Sequence, residues 1–243
     1  INNLDKLINA LNGTYGHDAA KAIMTTDLKE KEISFEATLD NRKVRIGGMA
    51  KGSGMIHPDM ATMLAYLTCD AKLPKNIWDS IIKESVEESF NAITVDGDTS
   101  TNDTFLGFCS GDLLEEKHIE FLKSGVSKVT KYLAKEIARD GEGATCLIEV
   151  KVEGCANDWE AGVIGRKVCS SSLVKTAVHG CDPNWGRIIS AIGNSGIDID
   201  LKELYLWIGE FLVVKEGRPI NFDQNLCIKY MKERKETLQA SNN

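Results

Sequence analysis

Gly47-Gly48-Met49-Ala50-Lys51-Gly52-Ser53-Gly54-Met55-Ile56-His57-Pro58-Asp59-Met60-Ala61-Thr62-Met63-Leu64 is the stretch around which the 243-residue chain is organised. Four glycines and one lysine precede a proline, and Ala61-Thr62 then opens an apolar run. Glycine allows backbone conformations and close approaches that other residues resist. A glycine-dense stretch with one cation suits backbone amides wrapped around an anion or substrate. The Walker spacing of a phosphate loop is missing, because Lys51 is followed by glycine rather than by Ser or Thr. Composition alone slightly favours an ordinary flexible loop.

On the N-terminal side, Ile33, Phe35, Ala37 and Leu39 alternate as in a strand. Asp40-Asn41 reads as a turn and Val44-Arg45-Ile46 as the returning strand, which feeds the glycine-rich stretch. Two short helices are expected before it, over residues 3–12 and 17–24. Thr25-Thr26-Asp27 reads as a turn or cap, since Thr and Asp bond locally to backbone. On the C-terminal side, Met63 to Cys69 fits helix and strand equally by period. Pro74 suits the start of a helix with an apolar face of Trp78, Ile81, Ile82, Ser85, Val86 and Phe90. Asp96 to Thr104 superficially resembles a calcium loop. It fails that template, with Thr101 at the glycine position and Gly107 at the bidentate glutamate.

A strand over Phe105 to Cys109 and a long helix striped by Ile119, Leu122, Val126, Val129, Leu133 and Ile137 follow. Glu142 sits between Gly141 and Gly143, and on its own reads as an exposed turn carboxylate. Cys146 to Val152 reads as a strand and Glu160 to Val168 as a weaker helix. Asp182-Pro183-Asn184 is turn chemistry, and Asp182 and Arg187 are expected to form a structural pair. Ile188 to Ile192 reads as a short helix, Phe211 to Val214 as a strand, and Gln224 onward as a charged helical tail.

The bulk numbers bound the function. Hydrophobic residues make up 42% and the formal net charge is −7. That allows a sizeable core and argues against a general nucleic-acid or anionic-membrane partner. The seven cysteines are odd in number and never spaced as Cys-x-x-Cys, which suits free thiols in a cytoplasmic protein. No basic start or signal-type apolar core is visible at Ile1.

Gly48 to Pro58 with Met60-Ala61-Thr62-Met63-Leu64 resembles the self-cleavage motif of the arginine-biosynthesis ornithine acetyltransferases, the bifunctional glutamate N-acetyltransferases. Three further segments resemble that family in family order: Asp96 to Thr104, Asp140 to Thr145, and Ser172 to Arg187. The resemblance implies an α/β (α+β) fold, a layered αββα-type sandwich of the self-processing acetyltransferase and aminopeptidase kind, incomplete at both ends. It implies cleavage between Ala61 and Thr62, dividing the chain into residues 1–61 and 62–243, with a strand starting at Thr62. Thr62 would be the nucleophile and, through its freed amine, the general base. An α-amine has a pKa near 8 and is partly neutral at working pH, which suits it to that task.

Thr25, Lys51, Thr62 and Glu142 would contact substrate, Lys51 as a point charge for a carboxylate and Glu142 as partner for an amine. A structural lysine capping loop carbonyls is the alternative for Lys51. Leu28 departs from the family's Thr-Thr-Asp-Thr pattern beside Thr25. The implied reaction moves acetyl from N2-acetyl-L-ornithine to L-glutamate. No metal or cofactor is implied, and acetyl-CoA is open as a further donor. The implied assembly is a cytoplasmic heterotetramer of two alpha and two beta chains from one precursor, with neither nucleic acid nor membrane as partner. A related self-processing aminopeptidase or amidase, with water as acceptor, and a non-catalytic fragment are the competing readings.

Overall fold

The computed structural model describes residues 4–9, 14–57 and 63–241, with side chains of Leu7 and residues 236–241 left aside. The chain forms two compact units, residues 1–142 and 143–243. The division expected at Ala61-Thr62 is a covalent one and falls inside the first unit.

The first unit begins with two short helices, α1 (Leu4–Asn9) and α2 (Gly16–Ala22). A four-stranded sheet in sequence order follows: β1 (Lys31–Leu39), β2 (Arg42–Lys51), β3 (Leu64–Lys72) and β4 (Thr104–Leu113). β1 and β2 run antiparallel, as do β2 and β3, whereas β3 and β4 are parallel. Asp40 and Asn41 both take positive φ, 47° and 66°. That gives the two-residue turn whose twist matches a hairpin and pairs Leu39 with Arg42. The parallel step from β3 to β4 is made through helix α3 (Lys75–Glu87), as a parallel pair requires.

Helix α4 (Ile119–Arg139) follows β4 and packs against β1, β2 and α3. Its stripe of Leu122, Val126, Val129, Leu133 and Ile137 is buried to within 1%. It meets the sheet face carrying Ile46, Ala65, Leu67 and Cys69 in one core. Gly48 lets this happen, because a Cβ there would lie 2.9 Å from both Val129 Cγ1 and Leu133 Cδ1. The glycine-rich stretch is therefore strand as far as Lys51, longer than the Val44-to-Ile46 strand read from the sequence. Its glycines seat a helix on the sheet.

The second unit contains α5 (Asp158–Ser170), α6 (Ser172–His179) and α7 (Trp185–Gly193), packed around Ile164, Val168, Val174, Ala191 and Ile192. A small sheet of β5 (Leu206–Ile208), β6 (Phe211–Lys215) and β7 (Arg218–Pro219) follows, and α8 (Gln224–Ser241) ends the chain. Two expectations are corrected here. Cys146 to Val152 forms no strand. Apolar content alone cannot make one without a partner backbone for its N–H and C=O groups. Asp182 and Arg187 do not pair: Asn184 Nδ2 donates to Asp182 at 3.1 Å, while Arg187 donates to Leu173 O and Thr176 Oγ1. Asn184 caps α7 by accepting from the Arg187 amide, so the Asp-Pro-Asn turn is a helix start.

Candidate active site

Lys51 ends β2, Leu64 begins β3, and the two pair across the ladder. Residues 52–63 are thus an excursion whose two ends are fixed side by side. The expected cleavage bond and nucleophile, Ala61 and Thr62, lie outside the described residues.

The remaining sequence-predicted residues gather around the first half of this excursion. Lys51 is only 8% exposed. Its Nζ donates to Thr25 Oγ1 at 3.4 Å, and among the described residues it forms no ion pair. A buried ammonium with no directly paired carboxylate is costly unless an anion arrives to meet it. Glu142 approaches from the end of α4. Its amide donates to Ser53 O at 2.8 Å, and its carboxylate lies over Gly54, where a Cβ would come within 2.7 Å of the carboxyl carbon. Thr25, Lys51 and Glu142 are therefore brought together by one loop, with a cation on one side and an exposed carboxylate on the other.

An ion cluster that sequence reading missed holds this loop. Lys31 Nζ lies 2.6 Å from both Asp27 Oδ1 and Asp140 Oδ2, with the Lys31 side chain 2% and the Asp27 side chain 0% exposed. Asp27 Oδ1 also accepts the Gly52 amide at 2.7 Å, and Oδ2 accepts the Thr25 amide. Asp140 Oδ2 accepts the Leu28 amide. Burial pushes the Asp27 carboxyl up, but the Gly52 amide and Lys31 outweigh it and hold its pKa below the usual value. The substitution at Leu28 leaves this bonding intact, since only its amide is used. One triad thus ties the Thr25 turn, the Gly52 backbone and the α4 end that carries Glu142. Its signal in the sequence was weak: Asp27 and Asp140 sit beside the motif residues, and Lys31 reads as an ordinary strand end.

On the other side of the excursion, Asp103 Oδ1 accepts the Met63 amide at 2.8 Å. Its Oδ2 is buried and unpartnered among the described residues. Burial pushes this carboxyl up to about 6, against the pull of the Met63 amide and of Lys51. A carboxylate whose folded pKa lies above its unfolded value stabilises the fold fully below about pH 4. That contribution is lost as pH rises through about 6. Asp103→Asn keeps an acceptor oxygen and carries no charge. Its urea midpoint should exceed that of the parent chain at pH 7.5, and the gain should vanish near pH 4. A deficit constant across that range would contradict this.

The fold and this arrangement define an α/β chain whose glycine-bordered strand end holds a buried cation at the root of the segment bearing Ala61 and Thr62. The comparisons agree with that class and narrow it. The model of the ArgJ family matches residues 1–241, and the chain belongs to that family. It is 59% identical over 230 residues to an arginine biosynthesis bifunctional protein ArgJ of Prochlorococcus marinus, covering 95% of this chain and 56% of that protein. It is 48% identical over 237 residues to a protein of the same name from a Synechococcus species, covering 95% and 57%. The crystal structure of the arginine biosynthesis bifunctional protein argJ from Bacillus halodurans matches with a TM-score of 0.65 and 40% identity, over 68% of this chain and 80% of that one. The chain spans about half the length of the curated relatives it matches.

Proposed function

We propose that the protein to which this chain belongs transfers acetyl from N2-acetyl-L-ornithine to L-glutamate through an acetyl-threonine formed on Thr62. Cleavage between Ala61 and Thr62 frees the amine. Thr62 Oγ then attacks the acetyl carbonyl carbon, the bond to the ornithine nitrogen breaks, and the hydroxyl proton passes through the Thr62 amine to that nitrogen. Glutamate's amine next attacks the acetyl ester, the bond to Oγ breaks, and the proton returns to Thr62. Lys51 and Thr25 hold the substrate carboxylate, and Glu142 its free amine. Acetyl-CoA as an alternative donor of the same acetyl group belongs to this proposal, and no cofactor is needed.

The observation that carries the reading is the buried ammonium of Lys51, which forms no ion pair among the described residues, at the end of the strand that leads into the Ala61-Thr62 segment in a chain of this family. The cut would separate residues 1–61 from 62–243. The β2–β3 ladder, Ile46 to Lys51 against Leu64 to Cys69, supports the two pieces staying together. A heterotetramer of two alpha and two beta chains, and a cytoplasmic location without nucleic acid or membrane, belong to the same proposal. A net charge of −7 argues against nucleic acid and anionic membrane as partners, and no described helix is long and apolar enough to cross a membrane.

The test incubates the longest natural chain containing this sequence with N-acetylornithine and glutamate. N-acetylglutamate is the expected product. Acetate without N-acetylglutamate would instead mark water as the acceptor and a hydrolase. Gly54→Ala probes the substrate contacts in the same assay. The added methyl displaces the Glu142 carboxylate, so KM for N-acetylornithine should rise about tenfold while the cut at Thr62 persists. An unchanged KM would remove Glu142 from the substrate contacts.

A further inference from the structure

Residues 94–104, which the proposed chemistry leaves without a role, touch both ends of the excursion. Before it, Asp96 Oδ2 accepts the Met55 amide at 2.6 Å and Oδ1 the Ile56 amide at 3.1 Å. The Val95 amide donates to Ile56 O at 2.7 Å, and Thr94 Oγ1 lies 3.0 Å from His57 Nδ1. After it, Asp103 Oδ1 accepts the Met63 amide and the Thr104 amide donates to Met63 O. One short segment therefore grips residues 55–57 and residue 63, the described residues on either side of Ala61-Thr62. Asp96 holds two consecutive amides, and Met55, the first of that pair, takes a φ of 57°. A side chain rarely adopts that conformation unless its surroundings over-determine it.

We propose that residues 94–104 are a clamp for self-cleavage, with Asp96 and Asp103 as positioning residues that fix the two ends of the 58–62 segment and then retain Thr62 as a new terminus. The proposal rests on the self-cleavage reading above. In that cut, Thr62 Oγ attacks the Ala61 carbonyl carbon, the C–N bond breaks, and the hydroxyl proton ends on the released nitrogen. Water then hydrolyses the ester, leaving the Ala61 carboxylate and a free Thr62 hydroxyl and amine. An attack of this kind gains from held geometry, and a displacement of about 1 Å can cost about 10²-fold. Asp103 acts one residue beyond the bond, through the Met63 amide, and its second oxygen is left without a described partner. The elevated Asp103 pKa agrees with a carboxylate kept for this task at a cost in stability.

The experiment follows the cut by intact mass after pulsed synthesis of the full chain, in parallel for the parent, Thr62→Ala, Asp96→Ala, Asp103→Ala, Asp96→Asn and Asp103→Asn. Each alanine variant should cut about 10²-fold more slowly than the parent. Each asparagine variant keeps one neutral acceptor oxygen, so Asp96→Asn retains at most one of its two amide bonds and Asp103→Asn a weaker one, and each should cut about tenfold more slowly. The asparagine pair carries the test if alanine prevents folding, as read by circular dichroism. Asp103→Asn should cut more slowly while resisting urea better at pH 7.5, a combination that a merely structural carboxylate would not give. Asparagine variants that cut at the rate of a cutting parent overturn the clamp and leave the self-cleavage reading standing. A parent that stays whole removes the self-cleavage reading and the clamp with it.

Discussion

Thr62→Ala should leave the chain whole and abolish acetyl transfer. Alanine has no hydroxyl to attack the Ala61 carbonyl, so the bond at 61 has no internal nucleophile. Without the cut there is no terminal amine, and without the hydroxyl there is no acetyl ester. The loss is complete for the covalent route rather than graded, whereas loss of a positioned base alone costs about 10²–10⁴-fold. Thr62→Ser separates these effects, since serine supplies both groups with less conformational restriction. It should cut and transfer at a reduced rate. Intact mass reads the cut, and an acetyl group found on residue 62 after incubation with N-acetylornithine reads the intermediate. Acetyl transfer by Thr62→Ala would sink this account of the chemistry.

Lys31→Met should be the most damaging substitution for stability outside the hydrophobic core. Methionine fits the volume, so what is lost is the charge. Asp27 and Asp140 would then face each other without the ammonium that now sits 2.6 Å from each, with the Asp27 side chain wholly buried. Breaking a buried ion pair by removing one partner costs about 3–5 kcal/mol. Urea unfolding at pH 7 should show that loss. The held-down Asp27 pKa gives the pH sign: its contribution is present above the ordinary value of 3.8 and is lost as pH falls below it. The parent's advantage over Lys31→Met should therefore shrink in acid. Because Asp27 also holds the Gly52 and Thr25 amides, substrate binding should weaken with stability. An equal urea midpoint for parent and variant would show that the triad is not the anchor of the loop.

How far the sequence could be read depended on whether a signal was local. The β1–β2 hairpin was legible because alternation and the Asp40-Asn41 turn are both local. α4 was legible from its stripe. The run from Gly47 to Lys51 was not, because glycine depresses strand expectation. The reason for Gly48 lies far along the chain, in Val129 and Leu133. Cys146 to Val152 was misread for the opposite reason, since an apolar run shows no sign of whether a partner strand exists. Thr25, Lys51 and Glu142 were named from motif resemblance alone, and the structure brings them to one loop. Lys31 and Asp140 are 109 residues apart, and no spacing rule links them. Asp96 and Asp103 sat in a run matched to a family but assigned no task. Their role becomes visible only once the amides of Met55 and Met63 are seen at their oxygens.

The central claim is that one peptide bond opens to give residue 62 both a hydroxyl and a free amine. Intact-mass measurement of the purified chain tests it most directly. The account predicts a piece of 61 residues ending at Ala61 and a piece holding the remaining 182 of the 243 and beginning at Thr62. A single uncut chain that nonetheless forms N-acetylglutamate from N-acetylornithine and glutamate would contradict it.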